Sequence, residues 1–74
     1  MQKELEYFVF KANLTDEHHN KLEETMVFCC NNVQWDNEIK HQLINNEWMI
    51  DKQSLVLILS THDRNKARKI ATEF

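Results

Sequence analysis

Residues 15–32, TDEHHNKLEETMVFCCNN, decide the fold of this 74-residue chain, because they read in two ways. As a helix, Thr15 is the N-cap, and Asp16 and Glu17 sit at the positive end of the helix dipole. Leu22, Met26 and Cys29 then share one stripe with Val33 in phase, and Asn31 or Asn32 ends the helix in a left-handed conformation. As a strand, residues 26–30 run into Asn31-Asn32 as a hairpin turn. The cap and the apolar spacing agree with each other, so a helix is expected.

Upstream, residues 4–13, ELEYFVFKAN, read as a strand in which Leu5, Tyr7 and Val9 alternate with Glu4, Glu6 and Phe8. Phe10 makes the second face partly apolar. Downstream, Val33, Trp35, Ile39 and Leu43 fall on one face of a period of two, with Gln34, Asp36, Glu38, Lys40 and Gln42 on the other. Asn45-Asn46 then reads as a two-residue type I′ hairpin turn into a strand that starts at Glu47-Trp48-Met49-Ile50. Residues 55–59, LVLIL, are apolar on both faces, as a central strand is. They continue the Trp48 strand through a bulge near residues 51–54. Ser60 or Thr61 caps a last helix whose apolar positions are Ala67, Ile70, Ala71 and Phe74.

The expected order is β-α-β-β-α in one small α+β domain spanning residues 1–74, with an antiparallel or mixed sheet and two helices on one face. In architecture this resembles a ferredoxin-like fold lacking its last strand. Folds of that kind host unrelated functions, so the resemblance carries no activity.

The chain contains neither glycine nor proline. Phosphate sites cradled by backbone amides, of the P-loop or dinucleotide type, need glycines and are excluded. Turns fall to asparagine, the next most tolerant residue, and Asn46 is expected at positive φ. The only cysteines, Cys29 and Cys30, are adjacent, a spacing at which a disulfide strains the intervening peptide. There is no apolar run of about 18 residues. Met1-Gln2-Lys3-Glu4 lacks the apolar stretch of a signal peptide. A cytoplasmic protein without membrane contact is expected.

Charge is unevenly spread. Residues 1–60 carry Lys3, Lys11, Lys21, Lys40 and Lys52 against ten carboxylates, whereas residues 61–74 carry Arg64, Lys66, Arg68 and Lys69 against Asp63 and Glu73. The basic cluster suits phosphate contact by the last helix. It equally suits a solvated helix face. His18-His19 and Cys29-Cys30 are metal-ligand types, but on a helix they lie about 16 Å apart, so no metal or other cofactor is expected. Cys30 beside His41 or His62 lacks an oxyanion hole or an orienting group at any recognisable spacing. No catalytic residue is assigned.

Surplus apolar surface is the strongest functional signal. With both helices on one face, Phe8, Phe10, Val56 and Ile58 form an uncovered patch on the other. The chain is therefore read as a small non-catalytic protein-binding module, self-associating and acting by occupying a protein partner. A phage- or mobile-element-encoded inhibitor or antitoxin-like regulator fits its size and its composition, which is poor in Gly, Ala, Arg and Pro. The alternative is a nucleic-acid-binding regulator that uses Arg64, Lys66, Arg68 and Lys69.

Overall fold

The computed structural model describes residues 4–74. It is a small α+β fold in which one open antiparallel sheet carries helices. The elements are β1 (Tyr7–Thr15), β2 (Lys21–Asn31), α1 (Asn32–Gln34), a π-helical stretch (Trp35–Ile39), α2 (Lys40–Ile44), a 3-10 turn (Lys52–Ser54), β3 (Val56–Thr61) and α3 (Arg64–Glu73). Residues 32–44 form one continuous helical run, the middle helix. The order is thus β-β-α-β-α, and the expected β-α-β-β-α is corrected at two places.

The first correction is at residues 15–32. Asp16 does bind the amides that follow it, but it closes a hairpin rather than starting a helix. Its Oδ1 accepts from the N–H of His18 at 2.9 Å and of Asn20 at 2.8 Å, and its own N–H donates to the Asn20 carbonyl at 2.9 Å. His19 takes φ 64, the left-handed position that such loops usually give to glycine. Local side-chain-to-amide bonds serve helix caps and turns alike, so the signal at Thr15-Asp16 did not choose between them. Beyond the turn, Thr25, Met26, Val27 and Phe28 suit a pleated surface, and β2 pairs with β1 from Lys21 to Asn31.

The second correction is the middle helix, where a strand was expected. Asn31 and Gln34 form a reciprocal capping box: Gln34 N–H donates to Asn31 Oδ1 at 2.8 Å, and Asn31 N–H to Gln34 Oε1 at 3.0 Å. Trp35, Ile39 and Leu43 recur every four residues, a spacing that satisfies a period of two and nearly satisfies 3.6. The helix ends in a Schellman motif rather than a type I′ hairpin. Asn46 has φ 58; its N–H donates to Leu43 C=O at 3.3 Å, and Glu47 N–H donates to Gln42 C=O at 2.9 Å.

The strand order is β2-β1-β3, so β1 is central and the LVLIL segment, expected in the centre, is an edge. The strand expected from Glu47 to Ile50 is not formed, and a 3-10 turn stands where a bulge was expected. Ile50 bridges Leu14, the 3-10 turn interrupts, and β3 resumes pairing with β1. At the interruption Ser54 Oγ accepts the Asn13 N–H at 2.8 Å, which replaces the missing ladder bond. Asp63 rather than Ser60 or Thr61 caps α3, accepting from Asn65 and Lys66 N–H at 3.0 and 3.2 Å.

The two helical segments cover opposite faces of the sheet, not one. Alternation puts Phe8, Phe10, Ala12 and Leu14 on one face of β1 and Tyr7, Val9 and Lys11 on the other. On the first face the Trp35 ring stacks on Phe10 at 4.8 Å, and Ala12, Leu43 and Ile50 form the buried centre. On the second, Val9 and Ala67 of α3 are wholly buried, and Arg64 and Arg68 border Cys29. No helix among the described residues is long and apolar enough to cross a membrane.

Candidate functional site

The expected patch of Phe8, Phe10, Val56 and Ile58 is divided by the structure. Phe10 lies between Trp35 and Phe28, whose centroids are 4.8 and 5.3 Å away, and Phe8 meets it edge-on at 6.0 Å. The middle helix therefore covers the aromatic half. Ile58 falls at a β-bulge, without a partner on β1 between Leu57, which opposes Phe10, and Leu59, which opposes Val9. The bulge reverses the alternation, so Val56 pairs with Lys11 and lies on the α3 side, away from Phe10.

What remains open is the outer edge of β3. Val56 is 57% exposed on one face and Leu57 is 49% exposed on the other, so both sides of this edge are apolar. Beside it lies a depression of about 310 Å³ lined by Trp35, Leu43, Ile44 and Leu55, with Lys40 and Lys52 at its margin. Ile44 is 61% exposed, so the apolar surface passes from the depression to the outside of the molecule. This edge was hidden from sequence reasoning because LVLIL has the composition of a central strand.

The basic cluster divides too. Arg64 and Arg68, one turn apart on α3, line a cleft of about 410 Å³ with Leu5, Tyr7, Cys29, Cys30, Asn31 and Gln34. Lys66 and Lys69 do not line it; at about 100° per residue Lys66 falls opposite the two arginines and Lys69 about a quarter turn round from Arg68. Of the four cations, only Arg64 and Arg68 line this cleft.

Cys29 and Cys30 lie on a strand, so their side chains point to opposite faces. Burial pushes the Cys30 thiol up to about 11, with the neighbouring Cys29 adding to the rise, so it is protonated at neutral pH and a poor nucleophile. Burial also raises Cys29, while Arg68 and Arg64 pull it down. His18 and His19 are in the β1–β2 turn, on the order of 30 Å along the strand from the cysteines at about 3.3 Å per residue. His62 Nδ1 lies 3.1 Å from the Leu5 carbonyl, and His41 is exposed on α2. Neither is brought to Cys30 in a nucleophile–base pair.

No family model, no curated protein and no solved structure matches this chain.

Proposed function

We propose that the chain is a non-catalytic protein-binding module that docks an extended segment of a partner along the outer edge of β3. One observation carries this reading: Val56 and Leu57 expose apolar surface on both faces of the same unpaired edge. Edge strands are ordinarily blunted by charged side chains, proline, bulges or a covering element; β3 has a bulge at Ile58 but no charged side chain, and it leaves apolar surface on both faces. Main-chain bonds to β3 supply affinity, and the adjoining depression supplies selectivity for one side chain. Its apolar lining with Lys40 and Lys52 at the margin suits a large apolar side chain next to Asp or Glu. Occupying a partner in this way is how an inhibitor or antitoxin-like regulator acts.

Selection of random peptides on the wild-type protein, with counter-selection on Leu57→Asp, tests the reading. It predicts enrichment of extended sequences with an aliphatic or aromatic residue beside carboxylates. Absence of enrichment, or peptides that bind Leu57→Asp equally well, would contradict it. Self-association through the same edge is the second reading, because two antiparallel edges can pair about a two-fold axis. A dimer at micromolar concentration in light scattering, dissolved by Leu57→Asp, would put a second copy there instead.

A further inference from the structure

The cleft under α3 lies on the other face of the molecule from the depression beside β3, and its chemistry is different. Its lining presents hydrogen-bond donors. Asn31 and Gln34 spend both side-chain oxygens on the capping box, so each amide is left with its NH2 group, for which the described residues provide no acceptor. Arg64 and Arg68 add two guanidinium groups, neither of which meets a carboxylate among the described residues. Three carboxylates near this end of the molecule have other neighbours. Glu6 accepts from the Ser60 hydroxyl, Glu4 lies 3.7 Å from His62, and Asp63 caps its own helix. Tyr7 and Leu5 complete the lining with an aromatic and an aliphatic side chain. Two guanidinium groups and two amide donors, without a carboxylate or acceptor among the described residues, thus line one cleft of a chain whose net charge is −3.

We propose that this cleft binds the phosphate group of a small phosphorylated molecule, held by Arg64 and Arg68 with the Asn31 and Gln34 amides as secondary donors. The helix N-terminus plays no part, since Asp63 already occupies it. At about 410 Å³ the cleft has room for more than a bare phosphate, and Tyr7 offers a ring face for an aromatic or sugar body. Guanidinium matters here beyond its charge, because its planar fork matches two oxygens of one phosphate.

Inorganic phosphate and a nucleoside 5′-monophosphate are the probes, titrated into the full chain and followed by amide chemical shifts. Saturable shifts at Arg64, Arg68, Asn31 and Gln34 are expected, with the nucleotide binding more tightly than phosphate. Arg64→Gln with Arg68→Gln should weaken binding at least tenfold, and Arg64→Lys with Arg68→Lys several-fold. Lys66→Gln with Lys69→Gln should change it less than twofold. Alkylation of Cys29, which is exposed and lines the cleft, should slow several-fold at saturating nucleotide, while buried Cys30 stays unreactive throughout. Shifts that fail to saturate at about 10 mM phosphate, equal losses from the lysine and arginine variants, or unprotected Cys29 would overturn the proposal. Tighter binding by a short oligonucleotide without terminal phosphate than by the monophosphate would also overturn it, and would assign the arginines to a nucleic-acid backbone.

Discussion

Two residues show how a chain without glycine makes its turns. Asn46 was legible as a positive-φ residue, because asparagine is the least costly non-glycine there; only the motif around it differs, a helix end in place of a hairpin. Asn46→Gly should be neutral or slightly stabilising, and Asn46→Val should cost about 1–2 kcal/mol in denaturant unfolding. Equal tolerance of both would show that the Schellman end is not formed. His19 at φ 64 was not legible, since nothing in His18-His19 marks a turn unless Asp16 is already known to close one.

Asp16 provides a pH test of that turn. The hydrogen bond from the Asn20 backbone amide holds its carboxyl below the usual aspartate range; desolvation opposes this, and the Asn20 side chain, the His18 amide and the nearby His19 add to the lowering. A carboxyl depressed in the folded state stabilises the fold above its unfolded pKa and loses that contribution as pH falls through the folded value. Asp16→Ala should therefore melt below the wild type at neutral pH, and the gap should narrow in acid. A carboxyl NMR titration of Asp16 with a midpoint at or above about 3.9 would contradict the hydrogen-bonded turn.

At the scale of elements, the readings that failed were those in which two periods or two motifs share one signal. Trp35, Ile39 and Leu43 satisfy both strand and helix spacing, and what decides between them is the capping box at Asn31 and Gln34, a pair not singled out in the sequence reading. The first strand and the last helix carried only one reading each, and both are present. Leu43 is 8% exposed and packs with Ala12 and Ile50 as part of α2, not as a hairpin residue. Leu43→Ala should destabilise by roughly 2–5 kcal/mol. A change within about 0.5 kcal/mol would mean that the middle helix does not seat on the sheet.

For the whole molecule, the balance of buried and exposed apolar side chains is the fact that bears on function. The buried apolar residues among those described are Val9, Ala12, Cys30, Leu43, Ile50 and Ala67, most of them small, while Ile44, Met49, Val56, Leu57 and Phe74 are all at least 49% exposed. The surplus was legible in the composition; its location was not, because a helix that covers Phe10 was read as a strand. With Trp35 of the middle helix stacked on Phe10, the open apolar surface lies at the β3 edge rather than on the sheet face. The most direct measurement is a map of amide hydrogen exchange in the isolated chain and with a saturating selected peptide. The account predicts fast exchange at the outward-facing amides of Val56–Thr61 in the free chain and strong protection of the same amides in the complex. Protection that appears on β2 or α3 while β3 stays unchanged would contradict it.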